Sequence, residues 1–164
     1  MIEKLKRNKR NVTILLALVG IAVMAAYSLC SESCTYLRGS MFGVDLKYLG
    51  MLYMGLVLVL GALGEDAACM FLLSVGMGGE AFLMGYQALN GVYCPFCLTF
   101  ALVVIILFTI RFEKAGLRAA MLFAAAGFLL FLIGFSGSVA PAYAGEIRMS
   151  PVDYRTGLKG VKIC

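Results

Sequence analysis

Long apolar runs separated by short polar segments dominate this chain. Five of these runs come close to the roughly 20 residues that a helix needs to cross the hydrocarbon core of a bilayer. They cover residues 11–31, 48–64, 67–89, 94–111 and 119–139. No strand pattern is visible between them. The pattern therefore predicts an all-α membrane protein with five transmembrane helices, built as a membrane domain over residues 1–139.

The composition excludes a soluble globular domain and several kinds of active site. Hydrophobic residues make up 62% of the 164 residues and charged residues 14%, against roughly 45–50% and 25% in soluble domains. The sequence has no histidine, which excludes catalytic triads, His-ligated metals and imidazole proton shuttles. We predict no metal site, and the six cysteines are the strongest candidates for chemistry.

The basic residues cluster in a way that indicates membrane topology rather than nucleic-acid binding. Five of the 14 lie within residues 4–10, and others occupy the linker 111–118. Basic segments flanking membrane helices face the cytoplasm, which predicts a multi-pass inner-membrane protein with residues 140–164 as a short exoplasmic tail. The first run is interpreted as a retained helix rather than a cleaved signal peptide. Leu29 stands where a lipoprotein signal needs a small residue, and no clean A-x-A site follows.

This topology sorts the cysteines by compartment. Cys69 lies near the cytoplasmic end of the third span, whereas the other five reach the exoplasmic face, where disulfides form and persist. These five are Cys30, Cys34, Cys94, Cys97 and Cys164.

Cys94 and Cys97 form a C-x-x-C pair at the start of a predicted helix, with Pro95 in its first turn. Unpaired amides and the helix dipole stabilise a thiolate there. A structural disulfide and a zinc site remain alternatives, although zinc would need two more ligands; c-type haem attachment needs histidine where Leu98 stands. The second pair, Cys30 and Cys34, favours thiol–disulfide exchange between pairs.

Electrons that enter such a relay need an acceptor, and a membrane quinone is the obvious one dissolved in the bilayer. Glu80 and Gln87 lie seven residues apart and therefore share one face of the third span. We predict that Gln87 donates a hydrogen bond to a quinone carbonyl and that Glu80 carries protons. The alternative for Glu80 is a hydrogen bond to a neighbouring helix or a place in a cytoplasmic half-channel. Asp66 is the predicted N-cap of this span.

Several motifs in order resemble the vitamin K epoxide reductase family in its bacterial, quinone-coupled branch. The resemblance covers residues 30–110, half of the chain. It rests on Cys34 followed by Ser40, then Gly43-Val44-Asp45 leading to Leu49-Gly50-Met51-Leu52-Tyr53, and finally Gln87 ahead of Tyr93-Cys94-Pro95-Phe96-Cys97-Leu98. It implies a four-helix bundle around a site for ubiquinone or menaquinone, with a fifth helix beside it.

The same resemblance implies a division of labour among the cysteines. Cys30 would be the outer shuttle cysteine, Cys34 the one that bridges to Cys94, and Cys97 the sulfur that faces the quinone. Ser40 would be the loop hydroxyl of the family pattern. The chain departs from the pattern in its tighter C-x3-C loop pair, and in Ala101, where the animal enzymes carry a tyrosine that contacts vitamin K; the latter favours quinone reduction over epoxide reduction.

The expected activity is that of a thiol:quinone oxidoreductase that promotes disulfide formation. Its partner would be an exoplasmic thioredoxin-like protein acting in trans, because a tail of about 25 residues cannot hold such a domain. The disulfide-bond oxidoreductase B family is a redox alternative, but its C-x-x-C precedes its other pair. An alternative of another class is a non-enzymatic membrane subunit or transporter with structural cysteines.

Overall fold

A computed structural model describes residues 2–30, 38–91, 93–112 and 116–138. It contains five helices, which confirms the all-α membrane fold class. It also contains three short strands, two between the first and second helices and one after the fifth helix. The elements in chain order are α1 (Ile2–Cys30), β1 (Arg38–Met41), β2 (Val44–Asp45), α2 (Leu46–Leu63), α3 (Asp66–Leu89), α4 (Pro95–Arg111), α5 (Leu117–Gly134) and β3 (Phe135–Ser138).

Four helices are long and apolar enough to cross a membrane, over Asn8–Leu29, Leu46–Leu63, Asp66–Leu89 and Leu117–Gly134. Pro95–Arg111 is a shorter apolar helix of 17 residues, at the lower limit for a span. The helix starts differ from the predicted runs, by nine residues in α1 and by one or two residues in the other helices. The first helix includes the basic arm from Ile2 onward. Asp66 is the first helical residue rather than the N-cap, which is Glu65.

Helices α1 to α4 form a bundle whose two ends differ in character. Its apolar core includes Ala17 of α1, Val57 of α2, Leu73 of α3 and Leu107 of α4, all fully buried. At what we call the lower end, the buried Arg111 donates hydrogen bonds to Thr13 at 3.0 Å and to Asp66 at 2.5 Å. This network ties α1, α3 and α4 together. The opposite or upper end is where α1 ends and α4 begins.

Helix α5 packs along α3 through glycines at the contact. A methyl group on Gly78 would overlap the backbone of Ala124, and one on Gly127 would overlap the backbone of Val75. Small residues permit this close approach of backbones, which is the usual basis of helix packing in a bilayer. Among the described helices, α5 therefore lies outside the four-helix bundle, against α3.

A small antiparallel sheet lies at the upper end, in the order β2-β1-β3. Phe42 and Gly43, both with positive φ, join β1 to β2, as a two-residue type I′ hairpin requires. Strand β3 pairs with β1 from Arg38↔Ser138 to Met41↔Phe135. The prediction of no strands was wrong, and the fifth helix ends at Gly134 rather than at 139. The sequence does not show where the helix ends and the strand begins, because Phe135 extends the apolar run beyond Gly134.

Candidate active site

The C-x-x-C motif forms the turn that starts α4 at the upper end. Pro95 is the first helical residue and Cys94 is the N-cap, which confirms the predicted place of the proline. The Cys94 sulfur accepts a hydrogen bond from the Cys97 backbone N–H at 3.4 Å. The Cys94 carbonyl accepts the first helical bond, from Leu98 N–H at 3.0 Å. Cys94 thus caps the helix with its sulfur, where partial positive charge is concentrated.

The two sulfurs of the motif are in different environments. The Cys97 thiol donates a hydrogen bond to Cys94, and this is the main cause that lowers the pKa of the Cys94 thiol below its ordinary value. The backbone N–H groups of Cys97 and Phe96 act in the same direction, and burial opposes them. Cys94 is only 3% exposed, in contrast to the surface position expected of a cysteine that exchanges with Cys34. The geometry favours Cys94 as the thiolate and Cys97 as the thiol of the reduced pair.

Gln87 anchors this turn from the last helical turns of α3. Its Oε1 accepts a hydrogen bond from the Cys94 backbone N–H at 2.8 Å, and its Nε2 donates to the Leu83 carbonyl at 3.3 Å. The side chain is 1% exposed, and Gln87 is not among the described residues that line the cavity below the motif. The structure therefore gives its amide a role in holding Cys94, in contrast to the predicted contact with a quinone carbonyl.

A partly open cavity of about 180 Å³ lies inside the bundle beneath the motif. All five helices and β1 contribute to its wall, which is mostly apolar. Its lining includes Cys97 and Glu80, so the structure brings these two predicted site residues to one cavity. The other lining residues with polar side-chain atoms are Tyr27, Lys47 and Tyr53.

Tyr53 lines the cavity, although the motif in which it was named gave it no role of its own. Its hydroxyl donates to the Leu72 carbonyl of α3 at 3.4 Å. A methyl group on Gly76 would collide with the same hydroxyl, so glycine at 76 makes room for it one helical turn before Glu80. The signal was present in the sequence as a tyrosine within an apolar span, but the pairing of Tyr53 with Gly76 depends on how α2 and α3 pack.

The remaining predicted site residues lie near the upper end or outside the described residues. Ser40 is in β1, where its hydroxyl donates to the Ser136 carbonyl at 3.5 Å, and it is not among the described cavity-lining residues. Cys30 is the last residue of α1. One turn before it, the Tyr27 ring contacts Phe96, inside the C-x-x-C motif, with centroids 5.8 Å apart. Cys34 and Cys164 lie outside the described residues.

Cys69 occupies a different environment, fully buried near the lower end. Within the described ranges, no group of three or more Cys, Asp or Glu side chains could hold a metal ion.

Searches of protein-family models, of characterised proteins and of solved structures find no match to this chain. The resemblance to the vitamin K epoxide reductase family and the roles it implies therefore stay predictions.

Proposed function

We propose that this protein is a membrane thiol:quinone oxidoreductase that reoxidises a thioredoxin-like, disulfide-forming partner. The observation that carries the proposal is the C-x-x-C pair itself. Its first cysteine is an N-cap with a lowered pKa, and its second lines an apolar cavity inside a membrane bundle. A thiolate at one end and a membrane-embedded cavity at the other are what a relay from protein thiols to a lipid-soluble oxidant needs.

In the proposed relay, the partner's dithiol exchanges with the Cys30–Cys34 disulfide, and Cys34 then exchanges with the Cys94–Cys97 disulfide. Each exchange passes two electrons and two protons inward. The reduced Cys94–Cys97 pair then returns to a disulfide as the quinone, a substrate in the cavity, becomes a quinol. The quinol takes up the two electrons and two protons that the thiols lose, so the reaction balances without another reductant.

The proposed orientation places the upper end, with the C-x-x-C motif, on the exoplasmic side of the inner membrane. Three arginines lie toward the lower end of the helices: Arg10 in the first part of α1, Arg111 at the end of α4 and Arg118 at the start of α5. Basic residues on one end of a bundle are typical of the cytoplasmic side. Thiol–disulfide exchange at the upper end would then occur in an oxidising compartment.

Purified protein with a reduced thioredoxin-like donor and ubiquinone or menaquinone tests the proposal. We expect quinol to form in step with donor disulfide, at one quinol per disulfide, measured by quinone absorbance and thiol alkylation. A Cys69→Ala control should react like the wild type, because Cys69 is buried at the far end of the bundle. Absence of quinol, or cysteines that stay oxidised in membranes when respiration is blocked, would instead support structural disulfides.

Glu80 is proposed to carry protons within the cavity. Glu80 is 9% exposed and lines the same cavity as Cys97, and the chain has no histidine for this task. Removing a positioned acid or base costs roughly 10²–10⁴ in rate. We expect Glu80→Gln to lower kcat at saturating quinone by about a hundredfold with little change in KM.

The matched control for Glu80 is Ser74→Ala. Ser74 is a buried polar residue of the same helix, whose hydroxyl bonds the Met70 carbonyl of its own helix, and it is not among the described cavity-lining residues. If Glu80→Gln keeps the wild-type kcat, or if Ser74→Ala lowers kcat as much as Glu80→Gln does, Glu80 does not carry protons in the mechanism.

A further inference from the structure

The helices that surround the cavity do not all pack equally closely against one another. Helix α1 packs closely against α2, and α4 packs against both α1 and α3, but α2 and α3 pack less extensively against each other. The cavity wall on this side is completed from outside the bundle by Leu130 and Phe131 of α5. Within the described residues, α2 and α5 are not packed closely together. The least tightly closed side of the cavity is therefore the one between α2 and α5.

The glycine contacts hold α5 in the position that completes this wall. Gly78 and Gly127 let the backbones of α3 and α5 approach closely, and a methyl group on Gly79 would collide with the Phe131 ring. Glycine at 79 therefore lets this ring lie against α3, where its remaining face lines the cavity. Phe131 is fixed by packing rather than left free at the lipid surface.

Leu130 marks where the cavity reaches the bilayer. It lines the cavity and is still 46% exposed, so it lies at the rim. Helix α2 contributes Leu46 and Leu49 to the same lining. The lining of the opening is thus mostly apolar, with Lys47 at the start of α2 as its charged member. Both helices are long enough to cross a membrane, where surrounding lipid tails are the solvent.

We propose that α2 and α5 frame a lateral portal through which the apolar tail of a lipid-borne quinone extends from the cavity into the bilayer. Phe131 and Leu130 form the wall that binds this tail and so make α5 a determinant of substrate specificity. The inference rests on the proposed function: the quinone ring lies toward Cys97 and Glu80, and its isoprenoid tail lies along α5. A wall that contacts only the tail distinguishes long-tailed quinones from the same ring without a tail.

Steady-state kinetics of Phe131→Ala with two quinones of identical ring, one with an isoprenoid tail and one without, test this portal. Loss of a large apolar contact should raise KM for the tailed quinone about tenfold and leave KM for the tail-free ring within about twofold. The control Leu132→Ala changes a neighbouring residue of α5 that is 57% exposed and does not belong to the described lining; it should not alter either KM. An equal effect of Phe131→Ala on both quinones, or none, would overturn the proposal.

A second measurement on the wild-type protein keeps the test independent of turnover and of the folding of any variant. A quinone with a photoreactive diazirine in its tail should crosslink to α5 and α2, at Leu130, Phe131, Leu46 or Leu49, as mapped by mass spectrometry. Crosslinks confined to the outer faces of α1 or α4 would overturn the portal. If the wild type reduces neither quinone, the proposed function fails, and the crosslinking map alone decides whether the portal holds a lipid tail.

Discussion

Replacing Cys97 by alanine is expected to abolish quinone reduction, because the electron pair then has no route from Cys94 to the cavity. Cys97 lines the cavity, whereas Cys94 is the buried N-cap above it and is not among the described lining residues. Without Cys97 the pair cannot close its disulfide, so a loss of about a thousandfold or more is expected, as for other groups that act as a unit. The Cys69→Ala control should keep its activity.

The same variant should also change the acidity of Cys94. The hydrogen bond from Cys97 is the main cause of the lowered pKa of Cys94, so Cys97→Ala should raise that pKa. A lowered pKa means that the thiolate persists to lower pH, and reaction of Cys94 with a thiolate-directed reagent should begin at lower pH in the wild type. The profile should move to higher pH in Cys97→Ala when alkylation is followed by mass spectrometry.

Cys94→Ala is the matched opposite of Cys97→Ala. It should also stop turnover, but it leaves a sulfur on the cavity wall beside the bound quinone. We expect a coloured thiolate–quinone charge-transfer band in Cys94→Ala when quinone is added at alkaline pH, where the Cys97 thiol ionises, and none in Cys97→Ala. If the band forms in Cys97→Ala instead, the two cysteines have exchanged roles, and the cavity beneath the motif is not where the quinone reacts.

The helices could be predicted from the sequence because hydrophobicity over about 20 residues is a local property. The N-terminal position of Pro95 could be predicted as well, since a proline without an N–H fits the first turn of a helix. The sheet could not, because β3 pairs with β1 across almost 100 residues of sequence, and nothing in Phe135–Ser138 distinguishes it locally from the end of an apolar span. Long-range pairing of this kind is set by where the helix ends meet.

The candidate site shows the same division between local and long-range information. The C-x-x-C motif and the depth of Glu80 follow from spacing along helices. The partner of Gln87 does not, since helical periodicity places a side chain on a face without saying whether a ligand or a neighbouring backbone group lies opposite. Here the Cys94 N–H lies opposite, and the need to satisfy a buried donor assigns the amide to the protein itself.

Gln87→Leu is accordingly expected to act on the rate rather than on quinone affinity. Losing Oε1 leaves the Cys94 N–H without its side-chain acceptor, and an unsatisfied buried donor costs about 1–3 kcal/mol. The turn that positions the Cys94 sulfur against the Cys97 N–H should relax, which lowers kcat by about tenfold or more and leaves KM for quinone unchanged. The pKa of Cys94 should rise at the same time, as in Cys97→Ala.

Gln87→Glu provides the control, because a protonated carboxyl can accept the hydrogen bond from the Cys94 N–H and donate to the Leu83 carbonyl as the amide does. It should recover much of the lost rate. Steady-state kinetics with varied quinone separate the two interpretations of this residue. A higher KM with unchanged kcat in Gln87→Leu would return Gln87 to the quinone, as its place on one face with Glu80 first suggested. It would also mean that two bonds hold the turn without Gln87, namely the bond from the Leu98 N–H to the Cys94 carbonyl and the bond from the Cys97 N–H to the Cys94 sulfur.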